Sequence, residues 1–328
     1  MRAPDFWTTD NWAARLLAPL AVLYAWGGRR KRLGGDHVHA TVPVICVGNI
    51  VAGGAGKTPV CIALAQLLKR RGKRVHFLTR GYGGTEVGPR LVDPVRHNAV
   101  RVGDEALLLA AHAPTWVARW RPEGAAAAVE MGAEIIIMDD GFQNGTLHQD
   151  LALVVIDGGQ GFGNGRVIPA GPCREPVAEG LARASAVVLM GEDRFGIADR
   201  IGVGIADRIG AMAVLRADLV ADAAAQALRG RKVVAFAGIG RPEKFFETLR
   251  QIGAHVVETH SFADHHPYGV AEIAALAEQA QAAQAQLVTT AKDFVRLPEH
   301  LRSQVEVVKV ALAWRDAVGV EALLDQLP

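Results

Sequence analysis

The segment Gly53–Thr58, with the sequence GGAGKT, limits the possible folds of this chain more than any other segment. It follows an apolar run at Pro43–Ile50 that is typical of a buried strand, and it precedes a helical stretch at Pro59–Arg71. A glycine-rich turn between a strand and a helix binds phosphate, because its backbone N–H groups and the helix N-terminus both face the anion. The sequence therefore predicts a P-loop in a parallel α/β fold.

The residues of this turn have separate predicted roles in binding ATP and Mg²⁺. The Lys57 ammonium can reach the β- and γ-phosphates, and the Thr58 hydroxyl is placed to bind the metal ion. The strict pattern has a glycine at the position of Val51, so the loop departs from it there. The residues expected to surround the phosphates are Gly53, Gly54, Ala55, Gly56, Lys57 and Thr58.

Strand-like and helical segments alternate along the rest of the chain, which is typical of a doubly wound parallel sheet. Apolar strands are predicted at Arg74–Thr79, Ala133–Met138, Leu151–Ile156 and Ala186–Met190. A second set of strands is predicted at Lys232–Ala237, His255–Glu258, Gln286–Thr290 and Val305–Val310. The predicted fold class is α/β, with a P-loop NTPase-like doubly wound parallel sheet and a second, smaller α/β domain.

We expect three parts, with the last two joined near Met212–Val220. They are an N-terminal membrane-associating helix with a basic cluster at 1–35, a P-loop core domain at 36–212, and a smaller α/β domain at 213–328. The heptapeptide GIADRIG occurs at Gly196–Gly202 and again at Gly204–Gly210. We interpret it as a local duplication in a helix or surface loop.

Two groups of acidic residues are candidates for chemistry. The strand at Ala133–Met138 ends at Asp139 and Asp140, an arrangement that places a carboxylate beside a P-loop for Mg²⁺. The sequence does not distinguish which of the two aspartates binds the metal. Asp104 and Glu105 stand at the start of a predicted helix, where they either cap the helix or take part in catalysis.

Asp264, His265 and His266 form a further candidate group. Paired histidines beside an aspartate can bind a metal or transfer protons, although a histidine in a loop is often incidental. Magnesium prefers oxygen ligands, so a phosphoryl-transfer site would not use these histidines to bind its metal.

The N-terminal segment is apolar but short. The run Leu16–Trp26 falls well below the roughly 20 residues that a transmembrane helix needs. Pro19 is expected to bend or restart the helix, and the basic residues Arg29–Arg32 follow it. Such a segment either lies in a membrane interface with its basic residues on anionic lipid, or packs on the body of the protein.

Charge and cysteine content limit the classes of partner that we expect. The net charge of +2 gives no reason to expect nucleic acid. The three cysteines form no metal-binding pair, and their low number fits a reducing cytoplasm. Cys46 and Cys61 are expected to be small core residues.

Eight sequence blocks follow the order of the tetraacyldisaccharide 4′-kinase family of lipid A biosynthesis, and the chain resembles that family over nearly its whole length. The blocks are Val47–Pro59, Leu78–Gly84, Val102–Ala110, Ile137–Asn144, Gly163–Pro176, Ala235–Phe246, Phe262–Tyr268 and Thr289–Asp293. The P-loop of the family shares the missing first glycine at Val51. The family usually has glutamate in place of Ala291 and commonly histidine in place of Asn144, so we expect no special role for either residue.

The resemblance implies roles that the patterns alone leave open. Asp104 corresponds to the catalytic base and His265 to its partner, with Lys57 as the third catalytic residue. The residues implied for metal binding are Thr58, Glu105, Asp139 and Asp140. The residues implied for substrate binding are Asn49, Arg121 and Arg174.

The resemblance also implies a substrate and a location. A kinase of this family would transfer the γ-phosphate of ATP to the 4′-hydroxyl of a tetraacylated glucosamine disaccharide 1-phosphate, giving lipid IVA, with Mg²⁺ as cofactor. The acyl chains of that lipid stay in the membrane, so a peripheral or monotopic protein on the cytoplasmic leaflet of the inner membrane is expected. We expect neither nucleic acid nor an obligate protein partner.

Two other functions remain open at this point. One is a P-loop kinase for a soluble small molecule, which would not need the apolar N-terminal face. The other is a membrane-recruited ATPase switch, a class that carries an additional lysine early in its P-loop, where this chain has Ala52–Gly54.

Overall fold

The computed structural model describes residues 4–34, 37–204 and 212–328. Gly35 and Asp36, where we expected the first domain boundary, lie outside the described residues, as does nearly all of the second GIADRIG copy.

Thirteen strands occur in the described residues. They are β1 (Val44–Gly48), β2 (Val75–Thr79), β3 (Arg90–Leu91), β4 (Thr115–Val117), β5 (Ile135–Asp139), β6 (Leu151–Asp157), β7 (Ala186–Met190), β8 (Ala213–Ala221), β9 (Lys232–Ala237), β10 (His255–Ser261), β11 (Gln286–Thr290), β12 (Glu306–Val308) and β13 (Val310–Trp314).

The α-helices of the described residues come before, between and after these strands. They are α1 (Trp12–Leu16), α2 (Ala18–Leu33), α3 (Lys57–Arg70), α4 (Ala99–Val102), α5 (Asp104–Ala110), α6 (Arg121–Glu130), α7 (Val177–Leu181), α8 (Ile197–Gly204), α9 (Pro242–Gln251), α10 (Val270–Ala282), α11 (Ala291–Phe294) and α12 (Ala317–Leu324).

A nine-stranded sheet carries the P-loop. Its order is β13-β8-β7-β6-β1-β5-β2-β4-β3, so β1 is the central strand. It runs parallel to β5 and β6 on its two sides, with Val47 opposite Asp139 and Leu153. Apolar cores cover both faces of the sheet, one of them including α3 and the other α6. This arrangement confirms the predicted doubly wound sheet, and the antiparallel pairs of the described strands lie at its two edges.

The second sheet is smaller and wholly parallel, in the order β10-β9-β11-β12. Its core contains buried aromatic side chains of α9 and β9, among them Phe236 and Phe246. The sheet confirms the prediction of a second, smaller α/β unit.

Strand pairing divides the chain differently from the predicted boundary at 212 and 213. The segment expected to join the two units is β8, which pairs with β7 in the large sheet. The strand expected at Val305–Val310 divides at Lys309: β12 belongs to the small sheet, whereas β13 pairs antiparallel with β8, Val310 facing Ala221. Periodicity along the sequence indicates a strand but not its partner, so the return of the chain to the first sheet could not be foreseen.

The N-terminal helices bury small residues and expose large ones. α1 ends at Leu16 and α2 begins at Ala18 with Pro19 in its first turn, so the proline restarts the helix as expected. Ala14 and Ala21 are their buried residues. The exposed apolar side chains are Trp12, Leu16, Leu20, Val22, Leu23, Tyr24, Trp26 and Leu33. Within the described ranges, every helix is too short or too polar to cross a bilayer.

Candidate active site

The P-loop follows β1 at the carboxyl edge of the large sheet and leads into α3. Gly56, the residue before α3, has a φ of 91°, a left-handed conformation that favours glycine. Gly53 and Gly54 have open space where a Cβ would lie, so a ligand can approach their backbone closely. The N–H groups of residues 54–58 have no acceptor among the described residues. These donors and the start of α3 form an anion site.

Asp139 and Asp140 stand at the end of β5 and face different partners. The Thr58 hydroxyl donates to Asp139 Oδ2 at 3.1 Å, while Asp139 Oδ1 is buried without a partner among the described residues. Asp140 has a left-handed φ of 52° and turns towards cations. Lys57 Nζ lies 3.6 Å from Asp140 Oδ1, and Arg174 donates to both Asp140 oxygens at 2.8 and 3.3 Å.

The charges around the two aspartates also differ. Burial and the nearby Glu105 carboxylate raise the pKa of Asp139 above its ordinary value. Burial acts on Asp140 as well, but Lys57 and Arg174 outweigh it and lower the pKa of that carboxyl group. An unpartnered carboxylate oxygen beside a hydroxyl fits a divalent cation that prefers oxygen ligands. The donor set therefore favours Asp139 with Thr58 for Mg²⁺, and Asp140 as the partner of the P-loop lysine.

Asp104 is a buried carboxylate at the first position of α5, with only 4% of its side chain exposed. The N-cap residue of this helix is Gly103, which has no side chain to cap it, and among the described residues Asp104 Oδ1 accepts from Glu105 N at 2.8 Å. Asp104 is therefore not the N-cap residue of α5. Burial disfavours the ionised form, but the hydrogen bond from His265 and the charges of Lys292 and Arg296 outweigh it. The pKa of Asp104 is held well below its ordinary value.

His265 reaches Asp104 from the second unit. Its Nδ1 donates to Asp104 Oδ2 at 2.9 Å, and its ring meets Tyr82 edge-on at 5.6 Å. The structure thus brings together the two residues expected to act as a pair, although they are 161 positions apart. His266 instead contacts Glu272 at 2.9 Å.

The turn before α9 connects this pair with the P-loop. A Cβ built on Gly240 would lie 3.9 Å from Gly54 N and 3.6 Å from Asp264 Oδ2. Glu105, expected to bind metal, has its carboxylate 3.6 Å from Lys292 Nζ. The P-loop, the two β5 aspartates and the Asp104–His265 pair therefore lie close together.

The three residues expected to bind substrate occupy different surroundings. Arg174 is partly exposed and faces Asp140. Arg121 is buried, its Nη1 bonds to Ala118 O, and burial beside Arg80 lowers the pKa of Arg121 to about 10.

Asn49 is fully buried behind the P-loop. Its amide donates to Val51 O and, at 3.3 Å, to Gly53 O. The structure places it to brace the loop, away from any surface that a lipid substrate could reach.

The family model that matches this chain is described as Tetraacyldisaccharide-1-P 4′-kinase, LpxK, and it matches residues 13–328. The chain belongs to this family. Full-length LpxK relatives support the assignment. The tetraacyldisaccharide 4′-kinase of Paramagnetospirillum magneticum is 59% identical over 327 residues, which cover 100% of this chain and 99% of the relative. That of Rhodospirillum centenum is 54% identical, with coverage of 100% and 97%.

A solved LpxK structure shares the fold. The enzyme of Aquifex aeolicus, solved in complex with ATP, has a TM-score of 0.74 and 26% sequence identity, and the match covers 95% of this chain and 98% of that one. This similarity confirms the predicted P-loop fold and the resemblance that the eight blocks indicated.

Sequence reasoning missed several residues of the LpxK site in the second unit. Lys292 Nζ lies 3.4 Å from His265 Nε2, and Arg296 contacts Asp104. Asp293 is fully buried and accepts from Tyr268 at 2.8 Å. Lys292 and Asp293 lie in the TTAKD block, and Tyr268 lies in the FADHHPY block. Membership of these blocks could therefore have indicated a role at the site. Arg296 lies outside both blocks. Its position three residues after Asp293 was the one sequence signal that these two residues could form an ion pair.

Proposed function

We propose that this protein is a lipid kinase that transfers the γ-phosphate of ATP to the 4′-hydroxyl of a tetraacyldisaccharide 1-phosphate. The observation that carries the proposal is the Asp104–His265 pair close to the P-loop. A P-loop alone fits an ATPase, whereas a paired carboxylate beside it provides a proton acceptor for an alcohol. Family membership supplies the class of substrate.

The chemistry requires one bond to form and one to break. The 4′-oxygen attacks the γ-phosphorus, the bond from that phosphorus to the bridging oxygen breaks, and its electron pair leaves with ADP. The hydroxyl proton passes to Asp104, which its cationic neighbours keep ionised. A carboxylate with a low pKa is a weak base, but the loose transition state of phosphoryl transfer lets the hydroxyl lose its proton late.

Positive groups balance the charge that develops on the phosphates. Lys57 and Arg174 converge on Asp140, from which they can turn to the β- and γ-phosphates. Thr58 and Asp139 are the residues that would hold Mg²⁺. When bound there, the ion would supply further neutralisation of the negative charge on the phosphates.

We propose a location on the cytoplasmic leaflet of a membrane, and the N-terminal helices support the membrane association. A helix that packs only on its own protein buries its large apolar residues, whereas here Trp12, Leu16 and Leu23 are 77%, 70% and 64% exposed. Exposed tryptophan and leucine on one helical segment suit the interface of a bilayer. Within the basic cluster, Arg32 Nη2 lies 3.4 Å from Glu175 and Arg29 Nη1 lies 4.0 Å from Glu179, so Arg30 and Lys31 remain for anionic headgroups.

Transfer of labelled γ-phosphate from ATP to a tetraacylated glucosamine disaccharide 1-phosphate in detergent micelles tests the function. We expect labelled lipid from the wild type and almost none from Lys57→Ala. Release of inorganic phosphate without labelled lipid would favour the ATPase switch. Equal transfer to a water-soluble disaccharide without acyl chains would favour a kinase for soluble substrates.

Liposome flotation tests the location. Changing Leu16, Leu20 and Leu23 together to serine should reduce binding to vesicles that contain anionic lipid, because these side chains carry little of the packing of the protein. Val318→Ser is the matched control, since Val318 is 80% exposed at the other end of the chain. Unchanged flotation of the triple variant would place the membrane contact elsewhere. We prefer point changes to removal of the segment because Trp7 Nε1 donates to Pro169 O and anchors it.

A further inference from the structure

Arg296 links the second unit to the Asp104 carboxylate. It follows α11, and its side chain is 5% exposed. Its Nε donates to Asp104 Oδ2 at 2.8 Å, and its Nη2 bonds to the same oxygen. The residue lies 192 positions from Asp104 in the sequence. The contact therefore exists only when the two units are packed together.

The hydrogen bonds that the described residues make to the Asp104 carboxylate fix the direction in which it points. Oδ2 accepts from Arg296 and from His265 Nδ1, while Oδ1 accepts from the backbone of Glu105 at 2.8 Å. A guanidinium group is planar and presents its donors in a fixed fork, so it fixes the plane of a carboxylate better than a lysine ammonium does. Without Arg296, the carboxylate would keep only the Glu105 N–H and His265 as partners, and its orientation would be less tightly fixed.

Arg296 is itself held rigidly. Its Nη1 donates to Gly238 O at 2.8 Å and to Asp293 Oδ1 at 3.1 Å. Asp293 is fully buried, and the same oxygen accepts from Gly238 N at 2.9 Å and Tyr268 at 2.8 Å. The guanidinium is therefore fixed at both ends, which is what a group must be if it is to orient another.

We propose that Arg296 is a positioning residue for phosphoryl transfer: it fixes the Asp104 carboxylate, and through it His265, in the orientation that receives the substrate hydroxyl. The proposal rests on the proposed kinase function. It assigns Arg296 no contact with ATP or lipid. Arg296 is therefore expected to affect the reaction through Asp104. An experiment that removes Asp104 can then distinguish this role from a general effect of Arg296 on stability.

The first measurement separates kcat from KM. Arg296→Gln should lower kcat by about 10–100-fold, since misplacing a reacting group by about 1 Å can cost 10²-fold, while the KM for ATP stays within about twofold. Arg302→Gln is the matched control, because Arg302 binds the carbonyl groups of Leu297 and Val295 in the same segment without touching Asp104. The control should keep wild-type kcat. Equal kcat losses in both variants would overturn the proposal.

A double-mutant cycle then tests the route of the effect. In protein that already carries Asp104→Asn, adding Arg296→Gln should change kcat by less than about twofold, because Arg296 no longer has a base to position. Losses that multiply would overturn the proposal. If Arg296→Gln does not fold, Arg296→Lys takes its place, since it keeps the charge without the fork.

The same assay keeps this inference distinct from the proposed function. Wild-type protein that labels no lipid would overturn the proposed function, and this inference with it. Wild-type protein that labels lipid, together with multiplying losses in the cycle, would overturn the positioning role alone.

Discussion

Replacing Asp104 by asparagine removes the proton acceptor with almost no change of shape. The structure gives two separate consequences. Arg296 loses a charged partner in a buried pair, a change that costs about 3–5 kcal/mol when a charge is left alone. Here Arg296 keeps Asp293, 3.1 Å away, and asparagine keeps an oxygen that accepts. We therefore expect Asp104→Asn to lower the free energy of unfolding by about 2–3 kcal/mol. A typical domain has a free energy of unfolding of roughly 5–15 kcal/mol, so the variant should still fold.

The second consequence is on the reaction. Loss of a general base typically lowers a rate by ~10²–10⁴, or about 3–5 kcal/mol in activation free energy. ATP binding should change little, because the N–H groups of the P-loop and Lys57 are untouched. The two effects are of similar size but appear in different measurements, one in unfolding and one in kcat.

Urea unfolding followed by circular dichroism measures the first, and labelled phosphate on lipid measures the second at a temperature where both proteins are folded. Arg296→Gln serves as the control for stability, since it breaks the same pair but keeps the carboxylate, and its kcat should fall less than that of Asp104→Asn. A folded Asp104→Asn protein with turnover within about threefold of the parent would refute the base assignment.

Three further outcomes follow from the same geometry. His265→Ala should lower kcat by about 10–100-fold, whereas His266→Ala should leave it within about threefold; equal small effects would count against the Asp104–His265 pair. Asp139→Asn should raise the Mg²⁺ concentration for half-maximal rate at least about tenfold, whereas Asp140→Asn should lower the rate at saturating Mg²⁺; similar Mg²⁺ shifts in both would contradict the assignment. Burial disfavours ionised Asp104, but its cationic neighbours hold its folded pKa below the unfolded value of about 4, so its stabilising effect is present above that pH and is lost as the pH falls. Asp104→Asn should therefore lose less stability between pH 7 and pH 3 than the wild type, and equal losses would argue against the low pKa.

The parts of the site that the sequence predicted are those whose chemistry is local in the chain. The P-loop and the end of β5 each place their functional groups within a few residues of a strand, so a single apolar run and its next residues suffice. Pairing Asp104 with His265 needed the family resemblance, because no periodicity relates two residues 161 positions apart.

The sequence could not predict the contacts that depend on how the two sheets pack. Arg296 is one of 36 lysine and arginine residues, and only the folded chain shows which carboxylate it meets. For Asn49 the resemblance implied substrate binding, whereas in the folded chain its amide donates to carbonyl groups of the P-loop itself, an orientation that the sequence could not show. The difference between Asp139 and Asp140 required side-chain directions, which a left-handed backbone at Asp140 sets.

The pairing of β8 with β13 has a consequence for synthesis on the ribosome. Val310 lies opposite Ala221, so the sheet receives its outermost strand from the end of the chain, after every residue of the smaller unit has been made. Leu323 and Leu324 pack with Leu215 and with apolar side chains of α3 in one core cluster. Until these two leucines have been made, Leu215 and the α3 side chains lack this part of their packing. A nascent chain that stalls before residue 310 would therefore present an open strand edge beside exposed leucines. Such an edge pairs readily with other chains, so incomplete products of this gene should be recognised by chaperones or aggregate.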